Sequence, residues 1–244
     1  NLFLALYLIQ VESQNVYNLL FGMRLEYLYM EYGIIFDLDG TLIDTERFAK
    51  ECWDKALNDF KLNIPSDFRE HLISVDMKFV EQEMKRVLPE EITYELFQKS
   101  VDSYFYAMLS QKGLPLKRGA TELLRVLKEE KVPLALATTS TRHKLRCYNQ
   151  LFPICSFFNV VVCGDMIDFG KPDPQIYIRA AELLEVDIQA CYIVEDSPNG
   201  IRGASAAKGM VVGIPDMIKL SGETEKMCDF IFDNLEEFRK YLNI

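Results

Sequence analysis

Four carboxylates stand where short apolar runs end. Asp37 and Asp39 lie in Asp37-Leu38-Asp39-Gly40-Thr41, and Glu195 and Asp196 open Glu195-Asp196-Ser197. Converging carboxylates repel unless a cation joins them. A donor set of oxygens, with no His or Cys, favours a hard ion such as Mg²⁺. That ion keeps several waters and binds one or two carboxylates together with substrate phosphate. Two more segments carry matching groups: Thr138-Thr139-Ser140 supplies hydroxyls and Gly170-Lys171-Pro172-Asp173-Pro174 supplies an ammonium, both suited to phosphoryl oxygens. Asp37 and Asp39 are two apart, but the extended run stops there. A turning backbone can aim both at one point, so that one attacks while the other moves a proton.

The elements that must position these groups are legible as alternating patterns. Apolar runs recur at Tyr32–Phe36, Pro133–Ala137, Asn159–Cys163, Cys191–Val194, Met210–Gly213 and Phe230–Phe232. They are continuous rather than alternating, as expected of strands covered on both faces. Helical periodicity fills the intervals Gly119–Glu130, Arg142–Leu151, Pro174–Leu184, Gly200–Lys208 and Leu235–Leu242. Strand–helix–strand repetition predicts an α/β fold with a doubly wound, Rossmann-like parallel sheet. In such sheets ligands bind at the carboxyl ends of strands, where all four carboxylates fall.

One interval breaks the rhythm. Between Thr45 and Gly113 there is no strand pattern, and helical patterns cover Glu46–Phe60, Asp76–Val87 and Glu90–Leu109, punctuated by Pro65, Pro89 and Pro115. This predicts an inserted all-helical cap over residues 47–113, with the α/β core formed by 30–46 and 114–244. A cap closing over the strand ends would expel water and read the leaving group. Lys78 lies between two of its helical patterns, where a specificity loop would sit.

At these residues the chain resembles the haloacid dehalogenase superfamily, in the subgroup with a helical cap after the first strand, which includes β-phosphoglucomutase and small sugar and nucleoside phosphatases. IIFDLDGTLIDTE is similar to its first motif, LALATTS to its second, GKPDP to its third and IVEDSPNGIRGASAAKGM to its fourth. Four motifs in order make a specific signal. The resemblance implies that Asp37 is a nucleophile forming an aspartyl-phosphate and that Asp39 is the acid and then the base. It implies that Thr138 and Lys171, with Thr139, hold the phosphoryl group, and that Mg²⁺ sits on Asp37, Asp39 (through its backbone carbonyl), Asp196 and Glu195. The implied activity is Mg²⁺-dependent phosphomonoester hydrolysis on a small sugar or nucleoside phosphate. A phosphomutase of the β-phosphoglucomutase type is the alternative. Those mutases carry a His in the helix after Asp-Thr, where Ala49 stands here. A protein that binds a phosphorylated ligand without turnover is a third reading, disfavoured because all four motif residues are present.

Each residue also has a plain structural reading. Thr138, Thr139 or Ser140 could cap the following helix. Ser197-Pro198 reads as a helix start, with Pro just inside. Asp44 and Asp173 read as local hydrogen-bonding residues, Arg142 and His143 as surface residues, and Phe48, Trp53 and Phe60 as cap packing.

Composition bounds the rest. The chain has 244 residues, 49% of them apolar, a net charge of −10 and a pI near 4.9. It is too apolar for a disordered chain and too acidic for a nucleic-acid partner. Six scattered cysteines without a CxxC, and two histidines, argue against a zinc site and for reduced thiols in the cytoplasm. The expected partner is a small phosphorylated metabolite, with no nucleic acid or membrane, and the chain is expected to act as a monomer. The sequence opens on Asn1, and Leu2–Ile9 is apolar but shorter than the roughly 18 residues of a membrane span. Met30, just before the first strand pattern, reads as a natural start, with residues 1–29 an upstream extension. An extra helix on the core, or a signal peptide truncated at its front, are the alternatives.

Overall fold

The computed structural model describes residues 32–70, 72 and 77–244. The expectations for residues 1–29 lie outside the described residues. Six parallel strands form one sheet in the order β3-β2-β1-β4-β5-β6. They are β1 (Gly33–Phe36), β2 (Leu134–Thr138), β3 (Val160–Cys163), β4 (Cys191–Glu195), β5 (Met210–Gly213) and β6 (Phe230–Ile231). All six coincide with the apolar runs to within two residues.

Alternate side chains of each strand enter opposite faces. Ile34, Phe36, Leu134, Leu136, Val194 and Val212 share one apolar cluster with Leu123 and Leu127 of α5 (Ala120–Glu129) and Phe238 of α10 (Leu235–Tyr241). Ile35, Ala135, Ala137, Val162, Ile193 and Val211 face the other cluster. It includes Tyr177 and Ala180 of α7 (Gln175–Leu184), and Ile201 and Ala204 of α8 (Pro198–Ala207). Both faces are covered, which is why the strands read as unbroken apolar runs. Helix α6 (Arg142–Leu151) follows β2.

The inserted helices between β1 and α5 are α1 (Thr45–Asp59), α2 (Ser66–Glu70), α3 (Met77–Val87) and α4 (Tyr94–Lys112). α1 packs along α4, with the Trp53 and Phe97 rings edge to face at 5.2 Å and Phe60 tilted against Phe97 at 6.1 Å. The expected packing role of Trp53 and Phe60 is thus observed. No helix among the described residues is long and apolar enough to cross a membrane.

The chain leaves and re-enters the sheet side by side. Asp44 N donates to Pro115 O at 2.7 Å, and Lys117 N donates to Leu42 O at 2.9 Å. Asp216, in the loop after β5, ties both crossings. Its Oδ1 lies 2.9 Å from Arg47 Nη1 and 2.6 Å from Lys117 Nζ. Its side chain is only 3% exposed, and its Oδ2 is buried with no hydrogen-bond partner among the described residues.

Replacing Asp216 with Ala leaves the mostly buried Lys117 ammonium without that partner. Hydrogen bonds to charged groups are worth about 1.5–3 kcal/mol, less where solvent screens them, as at the exposed Arg47. Thermal unfolding of Asp216→Ala should therefore show a clear drop in Tm. An unchanged Tm would contradict a tying role.

Candidate active site

The register of the central strands brings the acidic residues together. Phe36 pairs with Leu136 on one side and Val194 on the other, and Asp37 N donates to Val194 O at 3.0 Å. Asp37 therefore sits beside the end of β4, which carries Glu195 and Asp196. The chain runs from β1 outward to β2 and β3, then crosses back to β4 on the other side of β1. The strand order reverses there, which opens a crevice at the carboxyl ends.

Asp37, Glu195 and Asp196 are buried, and each offers a carboxylate oxygen within 4.8 Å of the others. Lys171 enters from the loop after β3. Its Nζ pairs with Asp37 and lies 2.5 Å from Glu195 Oε1. It also donates to Ala137 O at 3.3 Å and sits 5.2 Å from the centroid of the Tyr177 ring. Tyr177 Oη donates to Glu195 Oε1 at 2.6 Å, and Ser197 Oγ to Glu195 Oε2 at 3.2 Å. Thr41 Oγ1 donates to Asp196 Oδ1 at 2.8 Å.

Two glycines make room for these carboxylates. Gly40 has φ +94°, and a Cβ there would fall 2.3 Å from Asp196 Oδ2. A Cβ on Gly200 would fall 2.0 Å from the Glu195 carboxyl. Gly200 N in turn donates to Ser197 Oγ, so Ser197 caps α8 as expected, with Pro198 opening the helix.

The electrostatics of this cluster suit it to a cation. Burial pushes Asp37 up to about 7 against the pull of Lys171, and the charges of Glu195 and Asp39 push the same way. Burial, then Glu195 and Asp37, raise Asp196 well above the usual carboxylate range. Burial works against the Lys171 charge, but Asp37 and Glu195 outweigh it and hold the ammonium protonated. Three buried carboxylates face one ammonium, so a further positive charge is needed before all three ionise. An all-oxygen set of this kind fits a divalent hard cation.

Asp39 belongs to a different set. Its Oδ1 accepts from Thr45 Oγ1 at 2.6 Å and Tyr148 Oη at 3.2 Å, and its Oδ2 accepts from Ser140 Oγ at 2.6 Å. Lys144 Nζ lies 3.6 Å from Oδ1. Burial alone would raise its pKa, but Lys144 and the three hydroxyls outweigh burial and hold it below the usual range. Its carboxylate is thus turned away from the acidic cluster, and any part in holding a cation falls to its backbone. Half-buried Glu46, in the first turn of α1, is pushed up to about 7 by burial and by the Asp39 charge, with Lys144 pulling the other way.

The other expected site residues divide. Thr138 is buried at the end of β2, and its Oγ1 accepts from Ser140 N at 3.0 Å. Thr139 is exposed. Neither of these nor Ser140 caps α6; Thr141 does, accepting from Lys144 N at 3.3 Å. The helix begins at Arg142 as expected, but Ser140 is not free to cap it because its hydroxyl is directed at Asp39. Lys78, expected in a loop between two helical patterns, falls instead within the first turn of α3, and its side chain lies outside the described residues. Asp173 Oδ1 accepts from Gln175 N, Asp44 pairs with Arg47, and Arg142 pairs with Asp165 beside exposed His143. These four are local or surface residues, as expected.

Sequence reading assigned no role to Thr41, Thr45, Glu46, Lys144, Tyr148 and Tyr177, and weighed Ser140 as a phosphoryl-binding hydroxyl or a helix cap rather than as a partner of Asp39. A signal existed for some. Lys144 and Tyr148 are four apart and share one face of α6, and Thr45 opens the helix that follows the first motif.

Gly200→Ala tests whether the cluster's geometry matters. Moving Glu195 should weaken Mg²⁺ binding by about tenfold or more, the usual scale for disturbing groups around a metal site. Calorimetric titration reads this, and an unchanged affinity would show that Glu195 does not shape the site.

The geometry has counterparts among known proteins. Residues 33–208 match the family model described as haloacid dehalogenase-like hydrolase, a span that covers well over half of the chain and all four carboxylates. The bifunctional riboflavin kinase/FMN phosphatase of Arabidopsis thaliana is 34% identical over 194 residues, covering 76% of this chain and 49% of that protein. This chain therefore spans about half the length of that relative. The phosphorylated carbohydrates phosphatase of Thermotoga maritima is 28% identical over 175 residues, covering 72% of this chain and 81% of that protein. Among solved structures, a Thermotoga maritima protein provisionally named β-phosphoglucomutase superposes with a TM-score of 0.73 at 25% identity. That match covers 88% of this chain and 99% of the other. With the acidic cluster between the ends of β1 and β4 and helices inserted after β1, the family-model match over residues 33–208 places the chain in the family of haloacid dehalogenase-like hydrolases.

Proposed function

We propose that the chain is a Mg²⁺-dependent phosphomonoester hydrolase that works through an aspartyl-phosphate on a small sugar or nucleoside phosphate. The observation that carries this reading is the division of labour between two aspartates two residues apart. Asp37 points into the acidic cluster beside Lys171, and Asp39 points into a hydroxyl and ammonium cage.

The steps follow from those surroundings. Asp37 attacks phosphorus, and the bond from phosphorus to the leaving oxygen breaks. Asp39 gives its proton to that oxygen. It gains this proton as the substrate dianion docks, because added negative charge raises its proton affinity. Asp39, again a carboxylate, then takes a proton from water. The water oxygen attacks phosphorus, and Asp37 is released as phosphate departs. Thr138, Thr139 and Lys171 hold the phosphoryl oxygens throughout. Asp37, Glu195, Asp196 and the Asp39 backbone would hold Mg²⁺, which when bound neutralises phosphoryl charge and keeps Asp37 ionised. Most of the catalysis is positioning and charge neutralisation.

A second reading, phosphomutase, draws on the fold likeness to the Thermotoga protein provisionally named β-phosphoglucomutase. Ala49 speaks against it, since no side chain there can gate a proton.

Phosphate release should be screened over sugar, polyol and nucleoside monophosphates, with and without Mg²⁺. Hydrolysis that needs Mg²⁺ is the expected result. Isomerisation of β-glucose 1-phosphate, primed with the 1,6-bisphosphate and without free phosphate, would favour the mutase instead. Asp37→Asn should lower kcat by at least about 10³-fold, as loss of a nucleophile does. Asp39→Asn should lower it by about 10²–10⁴-fold, as loss of an acid–base group does. Comparable activity in either variant and in wild type would contradict the assigned roles.

A further inference from the structure

The ammonium of Lys144 is held where two parts of the molecule meet. It lies 5.5 Å from the centroid of the Tyr148 ring on α6 and 5.7 Å from that of Phe105 on α4, one of the inserted helices. Two rings fix a cation by attraction to their faces while leaving its N–H groups free. Its distance of 3.6 Å from Asp39 Oδ1 is longer than a charge-assisted hydrogen bond of about 2.7–2.9 Å. Asp39 Oδ1 is already served by Thr45 and Tyr148. The Lys144 side chain is 39% exposed, so a ligand can reach it.

We propose that Lys144 is a specificity-determining residue that donates hydrogen bonds to the hydroxyls of a neutral, hydroxyl-rich leaving group. The inference rests on the phosphomonoesterase reading above. If phosphorus sits at Asp37 and Asp39 protonates the leaving oxygen, the atoms beyond that oxygen pass Lys144. A second anionic group on the substrate is disfavoured there. Asp39 lies beside the ammonium, and the Asp39 and Lys144 charges both act on Glu46. An ammonium already beside one carboxylate still has donors for neutral hydroxyls.

The test compares sorbitol 6-phosphate with butyl phosphate, an alkyl ester that lacks hydroxyls, in wild type, Lys144→Met and Lys144→Arg. The readout is the ratio of kcat/KM for the two esters. Any effect of Lys144 on Asp39, or on folding, acts on both esters and cancels. Wild type should prefer sorbitol 6-phosphate. Lys144→Met should cut the ratio by about tenfold, with the loss in KM for the sorbitol ester, the scale of one hydrogen bond to a charged group. Lys144→Arg should restore most of it. A ratio unchanged in Lys144→Met, or no preference in wild type, overturns the inference while leaving the phosphatase reading standing. Wild type that releases phosphate from neither ester in Mg²⁺ overturns the phosphatase reading itself, and the inference with it.

Discussion

The structure is organised around the repulsion among three buried carboxylates. Asp37 directly follows β1, Glu195 ends β4, and Asp196 directly follows it; no local interaction would bring Asp37 to the other two. The β1/β4 register does so, and the hydrogen bond from Asp37 N to Val194 O holds the two strand ends together. The opposing charges are met only in part by Lys171. Buried ionised groups without full compensation are costly, and proton uptake is the usual relief. Here it shows as the raised pKa of Asp37 and Asp196. A divalent cation would relieve the same repulsion and leave Asp37 ionised. The rigid apolar sheet beneath is what keeps the carboxylates from simply moving apart.

The neighbouring groups follow from that constraint. Gly40 and Gly200 lack side chains where a Cβ would strike Asp196 and Glu195. Thr41, Ser197 and Tyr177 each direct a hydroxyl at one carboxylate oxygen, which fixes its orientation. Asp39 escapes the cluster because the backbone turns after Leu38. It is met instead by hydroxyls from three places: Thr45 on the inserted α1, Ser140 after β2 and Tyr148 on α6. Two carboxylates of like chemistry thereby acquire opposite tendencies, one raised and one lowered in pKa, which is the basis for separate roles.

Much of this was legible because strands and their ends are local features. Continuous apolar runs gave the six strands, and a residue that follows such a run is bound to lie on the carboxyl rim. Asp37, Glu195 and Asp196 were readable for that reason, and Lys171, further along the loop after β3, was readable from the GKPDP segment instead. Groups that reach the site from helices were harder to see. Tyr148 and Lys144 depend on the rotation of α6, and Tyr177 on that of α7, which packing sets and motif spacing does not. The short α2 and the four-residue α9 (Gly222–Glu225) carry too little periodicity to stand out. Asp216 was illegible as a tie because its partners, Arg47 and Lys117, lie on two distant crossings of the chain.

The central claim is that one divalent cation joins Asp37 and Asp196. Calorimetric titration of Mg²⁺ into wild type and Asp196→Asn addresses it most directly. The account predicts one ion per chain in wild type and affinity lower by at least about a hundredfold in the variant, beyond what outer groups alone produce. Equal binding by the two proteins, or none by wild type, would contradict it.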